Sequence, residues 1–225
     1  MPGRTIAIGD IHGCTAALSA LLAAIDPRME DTLVALGDYV DRGPDSRGAI
    51  DRLLELRQQC QLITLLGNHD QMMLWICDGR WELMSDWRLF GGEETLDSYG
   101  RRVPEGVPAA HLDFLRQCRL FHETDTHFFL HGNYWASVPL DCQEPETVLW
   151  DSLKRRLPGP HCSGKTGIIG HSAQKGGEIL DLGYLKCIDT CCYGTGWLTA
   201  IDVDGGSIWQ ADKMGRLRPL ASLGR

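Results

Sequence analysis

Three apolar runs in the first third of the chain end in the same way. Thr5-Ile6-Ala7-Ile8 leads into Gly9-Asp10-Ile11-His12-Gly13. Thr32 to Leu36 leads into Gly37-Asp38-Tyr39-Val40-Asp41-Arg42-Gly43, and Gln61 to Leu66 leads into Gly67-Asn68-His69-Asp70. Short apolar runs closed by glycine read as buried strands. Between them, Cys14 to Ile25 is rich in Ala and Leu and stops before Asp26-Pro27, as a helix does. From about Ser46 to Cys60, Ile50, Leu53, Leu54 and Leu56 recur at helical spacing. Strand, helix, strand, helix, strand predicts a parallel sheet with right-handed crossovers. The strand C-termini of such a sheet share one edge, where ligands bind. Positions 10, 38 and 68 are therefore expected to meet.

The middle of the chain reads as short helices: Gln71 to Cys77, Trp81 to Leu89, Glu93 to Tyr99 and Ala109 to Cys118. Gly91-Gly92 and Val103-Pro104-Glu105-Gly106 punctuate them. Met72, Met73, Trp75, Trp81 and Trp87 read as core and lid packing. From Leu120 onward strands dominate. His127 to Leu130 leads into His131-Gly132, and Gly167 to Gly170 leads into His171. Further strands are expected near Glu178-Leu180, Lys186-Asp189, Trp197-Val203 and Ser207-Gln210, the last two joined as a hairpin by Asp204-Gly205-Gly206. These later strands are expected to form a second sheet on the first. The fold class is α/β, two packed mixed sheets flanked by helices, as one domain over the 225 residues.

Composition narrows the function. The 225 residues carry a net charge of -8, which argues against bulk nucleic-acid binding and against an anionic membrane surface. No uncharged apolar run approaches the ~18 residues that span a bilayer. The nine cysteines are irregularly spaced, with no C-x-x-C pair, and read as reduced thiols of a cytoplasmic protein. Cys187, Cys191 and Cys192 match no zinc spacing and read as structural.

The polar set at strand ends is Asp10, His12, Asp38, Asn68, His131 and His171. Two carboxylates, three imidazoles and an amide oxygen suit borderline divalent ions better than calcium. Six ligands suit two ions ~3.5–4 Å apart. Asp38, from the middle of the three strands, is the natural bridge. His111, His122, His127 and His161 read as ordinary packed or surface histidines.

GDIHG, GDYVDRG and GNHD, followed by His131-Gly132 and Gly170-His171, resemble the phosphoprotein phosphatases of the calcineurin-like metallophosphoesterase superfamily. The pattern spans positions 9 to 171 and is similar to that of the short bacterial and phage-type serine/threonine phosphatases. The stretch from Ile179 through Ile188-Asp189-Thr190 to Trp197-Ala200 resembles the closing strands of that group. The resemblance implies that Asp10 and His12 hold a first metal, that Asp38 bridges, and that Asn68, His131 and His171 hold a second. Manganese is the expected pair, with iron, zinc or cobalt as alternatives. It also implies that His69 is a general acid oriented by Asp41, and that Arg42 grips phosphoryl oxygens. Two such ions lower the pKa of a shared water, and no covalent phosphoenzyme is needed.

The chain departs from the family pattern after Leu149-Trp150. Many members have an arginine two places after that Trp; here Ser152 stands there. Arg155 is the expected substitute, with Arg156 as its rival. Asn133 stands where many members have a small residue, Ser172 where Thr is frequent and Asp70 where some have Glu, and none of these removes a ligand. Gly159 to Thr166 fits G-x-x-x-x-G-K-T, but Pro160 removes an amide and a strand follows where a helix is needed, so nucleotide binding by this loop is not expected.

The expected activity is hydrolysis of phosphomonoesters on Ser or Thr, with Tyr as a further target, of a phosphorylated protein or peptide. The alternative is a symmetrical dinucleoside polyphosphate hydrolase; a second alternative is a non-catalytic metal-binding interaction module. The oligomeric state is open.

Overall fold

A computed structural model describes residues 3–219. In chain order the elements are β1 (Thr5–Ile8), α1 (Thr15–Ile25), β2 (Thr32–Ala35), α2 (Ser46–Leu56), β3 (Gln61–Thr64) and α3 (Asn68–Cys77). Three short helices follow: α4 (Met84–Trp87), α5 (Glu93–Ser98) and α6 (Ala109–Arg116). Then come β4 (Phe121–Glu123), β5 (His127–Leu130), α7 (Pro145–Trp150), β6 (Thr166–Ile169) and β7 (Leu180–Asp181). The described chain closes with β8 (Leu185–Cys187), β9 (Asp189–Thr190), β10 (Trp197–Asp202) and β11 (Ile208–Ala211).

The first sheet has the order β11-β10-β1-β2-β3, with β9 beside β10; the second has the order β4-β5-β6-β8-β7. β1, β2 and β3 are parallel and in register, pairing Ile8 with Ala35 and Ala35 with Thr64. In the second sheet β5, β6 and β8 are parallel, pairing Leu130 with Ile169 and Ile169 with Cys187.

Alternation along the strands builds the layers. Ile6, Ile8, Leu33 and Ala35 pack under α1 and α2 with Leu18, Leu21, Ile50 and Leu53. Ala7, Val34 and Ile63 face the other way and meet Phe129 and Ile168 of the second sheet. Phe128, Leu130, Ile169 and Leu185 form a third cluster beyond it, with Tyr134, Val148 and Leu153. Burial on both faces explains why these strands read as unbroken apolar runs.

Two differences from the sequence expectation shape the layers and the rim. The hairpin of β10 and β11 does not join the second sheet. β10 lies antiparallel against β1, pairing Ala200 with Ile8, and makes the first sheet mixed. Ala200 faces the helix layer while Ile201 packs between the sheets, so both faces of β10 are covered only there. Second, α3 begins at Asn68, three residues before the expected start. Its first turn is polar because Asp70 caps it, accepting the Gly67 N–H at 3.0 Å. The Gly159–Thr166 loop runs directly into β6 with no helix following; the Tyr134 hydroxyl donates to the Gly159 carbonyl.

Candidate metal centre

The loops leaving β1, β2 and β6 are strained where the proposed ligands stand. His12 (φ 44°), Asp38 (φ 51°), Asp41 (φ 69°), Arg42 (φ 68°) and His171 (φ 61°) all lie in the left-handed region. Each such non-glycine residue costs roughly 1–2 kcal/mol. Five at one rim indicate strain held by the surrounding fold for a site. Two glycines are required by close approach. A Cβ on Gly67 would lie 2.1 Å from Asp38 Oδ1, and one on Gly170 would lie 2.1 Å from Asp10 Oδ1.

Asp38 stands at the centre. Its Oδ2 is 3.4 Å from His12 Nε2 and its Oδ1 is 3.4 Å from His131 Nε2. Asn68 Oδ1 lies 3.1 Å from His131 Nε2 and 2.9 Å from His171 Nδ1. Asp10 is buried beside them, its Oδ2 accepting the His171 backbone N–H at 2.9 Å. Ligand-capable atoms of His12, Asp38 and His69 lie within 4.8 Å of one another, as do those of Asp38, His131 and His171.

The donor chemistry fits cations at this rim. His12 Nδ1 donates to the Val40 carbonyl at 2.8 Å, His131 Nδ1 to Leu36 at 2.9 Å, and His171 Nε2 to Trp150 at 3.2 Å. Each ring thus spends its one proton on a backbone carbonyl and turns the lone pair of its other nitrogen inward, the tautomer control typical of metal-binding histidines. Those lone pairs then face the oxygens of Asp38 and Asn68 with no proton between them. Arg42 Nη1 donates to His12 Nε2 at 2.9 Å. Asp10 Oδ1 and Asp189 Oδ2 are buried without any hydrogen-bond partner. Divalent cations would resolve this convergence of acceptors.

Charge balance points the same way. Burial, with the negative charges of Asp189 and Asp38 behind it, pushes the Asp10 carboxyl well above the usual range. Burial pushes Asp189 up to about 6. Burial opposes the ionised form of Asp38 too, but His131, His69, His12 and His171 around it win and hold its carboxyl below the usual range. Burial lowers His12 and His131, and burial beside His131 lowers His171 to about 4. All three imidazoles are therefore neutral at pH 7 and free to ligate.

The sign of the Asp10 shift gives a prediction. A carboxyl raised in the folded state destabilises the metal-free protein at neutral pH. That penalty fades as pH falls through the raised value and is gone below the unfolded value near 3.9. Asp10→Asn is expected to stabilise the metal-free protein by about 1–3 kcal/mol at pH 7. Urea midpoints of the metal-free proteins at pH 7 check this, and a lower midpoint for the variant contradicts it.

His69 sits apart in role. Its Nδ1 is 2.8 Å from Asp41 Oδ2, and its backbone N–H donates to Asp38 Oδ1 at 3.0 Å. Asp41 is fully buried and over-determined. Trp87 Nε1 donates to both its oxygens at 3.1 and 3.0 Å, and Thr95 Oγ1 donates to Oδ1 at 2.7 Å. Its own N–H is shared by Ser46 Oγ and Thr95 Oγ1. Burial pushes this carboxyl up, against the pull of His69 and Thr95. Trp87→Phe removes a donor from a buried carboxylate and is expected to cost about 1–3 kcal/mol. Turnover should fall roughly tenfold through loss of His69 alignment. A denaturation curve and a steady-state assay measure the two effects.

The structure thus brings together Asp10, His12, Asp38, Asp41, Arg42, Asn68, His69, His131 and His171. Arg42 lies 4.7 Å from the Tyr193 ring centroid, whose ring meets His12 edge-on at 5.0 Å. Arg155 is not among them. It lines a cavity with Trp135, Trp150 and Arg156, and its side chain makes no hydrogen bond to the ligands among the described residues. Sequence reasoning missed four residues around the ligands. Asp70 accepts the N–H groups of Asp38 and Tyr39 at 2.8 and 2.9 Å, stitching the second loop to the third. Its position as the acid of a helix's first turn was the available signal. Trp87 and Thr95 clamp Asp41 from 46 and 54 residues away, with no local signal. Asp189 lies among the charges that act on Asp10.

The sequence profile of the calcineurin-like phosphoesterases matches residues 3–178. The chain belongs to that family. Calcineurin-like phosphoesterases use a dinuclear divalent metal centre, and the His and Asp residues here could hold one. The chain is 35% identical over 138 residues to serine/threonine-protein phosphatase 1 of Salmonella typhimurium, covering 58% of this chain and 59% of that one. It is 33% identical over 170 residues to a symmetrical bis(5'-nucleosyl)-tetraphosphatase of a Janthinobacterium species, covering 69% and 56%. The chain spans about half the length of the curated relatives it matches. A solved structure described as a candidate diadenosine tetraphosphatase superposes with a TM-score of 0.69 at 26% identity, covering 94% of this chain and 95% of that one. A protein-tyrosine phosphatase from a psychrophilic Shewanella shares the fold, with a TM-score of 0.66 at 16% identity. Among the described residues, no helix is long and apolar enough to cross a membrane.

Proposed function

We propose that this phosphoesterase hydrolyses phosphomonoesters on Ser or Thr side chains of phosphorylated proteins. One observation carries the reaction type: the two oxygens of Asp38 face two separate histidine groups, beside a buried His69–Asp41 pair. Asp10 and His12 would hold one cation, Asn68, His131 and His171 the other, and Asp38 both. Such a pair, manganese first in expectation, supplies a water of lowered pKa and neutralises phosphoryl oxygens.

The chain's own groups account for the remaining work. The Asp41 carboxylate accepts a hydrogen bond from His69 Nδ1–H, which keeps its proton and leaves Nε2–H turned to the substrate. His69 Nε2–H then protonates the departing oxygen, whose alkoxide would otherwise be a poor leaving group. Arg42 offers a planar fork to phosphoryl oxygens, where charge spreads during in-line attack. The Tyr193 ring braces that fork at 4.7 Å.

The protein-phosphatase reading is supported by the likeness to the Salmonella protein. A second reading, cleavage of dinucleoside polyphosphates, is supported by the relatives of that name. The test is turnover of p-nitrophenyl phosphate with Mn²⁺, then of a phosphoserine peptide against diadenosine tetraphosphate at equal concentration. Chelator is expected to abolish all turnover. Full activity in metal-stripped enzyme overturns the proposal. Metal binding with no turnover on any ester would leave only a binding module.

A further inference from the structure

Asp189 carries a carboxylate that the fold buries and leaves half used. The residue is 2% exposed, and its Oδ2 has no hydrogen-bond partner among the described residues. Its Oδ1 accepts the Cys191 N–H at 3.0 Å. Cys191 lies in the left-handed region there (φ 63°), an unfavourable conformation for a residue with a Cβ. Strain of that kind gathers at functional sites. A buried carboxylate oxygen without a donor is unfavourable unless a cation meets it.

The backbone fixes where this carboxylate emerges. Ile188 joins the two sheets: its N–H donates to the Ile169 carbonyl at 2.9 Å, and a Cβ on Gly9 would lie 2.5 Å from the Ile188 carbonyl oxygen. Asp189 is the next residue. It pairs with Leu198 of β10, whose neighbour Thr199 accepts the Gly9 N–H at 3.0 Å. The Asp189 carbonyl accepts the Gln174 N–H at 2.8 Å, three residues past His171. β9 therefore places Asp189 at the seam where the Asp10 loop meets the His171 loop. The charges agree. After burial, Asp189 is the largest influence on the Asp10 carboxyl, ahead of Asp38, and the charges of Asp38 and Arg42 both act on Asp189. Asp10 Oδ1 is the other unpartnered oxygen at this seam.

Without Asp189 the two cation positions are unequally furnished. Asn68, His131 and His171 join Asp38 on one side; only Asp10 and His12 join it on the other. Asp10 and Asp38 alone would also set two carboxylates against two divalent ions. Carboxylate oxygens suit manganese. Resting on the metal centre proposed above, we propose that Asp189 is a positioning residue for the cation on the Asp10–His12 side, giving that side a third carboxylate and tightening its hold on the metal. Its part in turnover is through that cation. Residues that support metal ligands in this way typically change metal affinity about 10–100-fold.

The experiment titrates Mn²⁺ into protein stripped by chelator and then freed of it, followed by calorimetry with bound metal counted by elemental analysis. Wild-type protein is expected to take up two ions. Asp189→Asn keeps an oxygen for the Cys191 N–H and adds an amide donor beside Asp10, so its metal-free urea midpoint should not fall below that of wild type. It should weaken one ion at least about tenfold and leave the other within about threefold. His131→Gln impairs the opposite group and assigns the loss. Adding Asp189→Asn to it should weaken the remaining ion at least about tenfold further. Two ions held by Asp189→Asn as by wild type overturn the role and leave the phosphoesterase reading standing. A lowered metal-free midpoint with unchanged uptake does the same and makes Asp189 structural. A combined variant that holds its ion as His131→Gln does also overturns it. Wild-type protein that takes up no Mn²⁺ overturns the assignment together with the metal centre.

Discussion

Asp38→Asn is expected to lower turnover at least about a thousandfold and to cut bound metal from two ions to at most one. Asp38 alone presents an oxygen to each histidine group, at 3.4 Å from His12 and 3.4 Å from His131. Its substitution would remove the negative charge shared by two cations held there, whose chemistry is to lower the pKa of a bound water. An amide nitrogen would also turn a donor toward one of them. The fold should survive, because Asp70 holds the loop through the Asp38 and Tyr39 N–H groups and the variant's amide oxygen can still accept the His69 N–H. Metal analysis and activity on the same preparation decide the matter. A variant with two ions and near-normal turnover removes Asp38 as the bridge.

His69→Asn should show a different signature: metal content unchanged, with a loss that depends on the leaving group. General acid catalysis contributes about 10²–10⁴-fold. The loss should approach the upper end for an alkyl phosphate such as a phosphoserine peptide, whose departing oxygen is strongly basic. It should be smaller for p-nitrophenyl phosphate, whose departing phenolate needs little protonation. A steeper dependence of rate on leaving-group pKa in the variant is the readout. An equal loss across leaving groups would instead make His69 a ligand, as its proximity to His12 and Asp38 permits. The 2.8 Å bond from its Nδ1 to Asp41 favours the acid role.

Much of this rim was legible before any coordinates. Apolar runs closed by glycine located β1, β2, β3, β5 and β6 to within a residue or two, because strands buried on both faces leave an unbroken apolar signature. Parallel order then forced Asp10, Asp38 and Asn68 to one edge. Helix α7 was missed although Pro145 and Glu146 stand at its first positions, a start signal that six residues were too few to support by periodicity. The start of α3 was missed because a capped first turn is polar, and apolar spacing begins only at Met72.

The sequence by itself determined which donor atoms this protein can bring to a metal and at which strand ends they emerge, since residue type and two-residue alternation are local properties. Only the tertiary structure decided how those donors are aimed. The placement of β10 beside β1, the strained φ angles of His12, Asp38 and His171, the carbonyls that fix each imidazole tautomer, and the Trp87 and Thr95 clamp on Asp41 all arise from contacts between distant segments. Such contacts depend on which surfaces remain to be covered once the layers pack, and no periodicity along the chain records that.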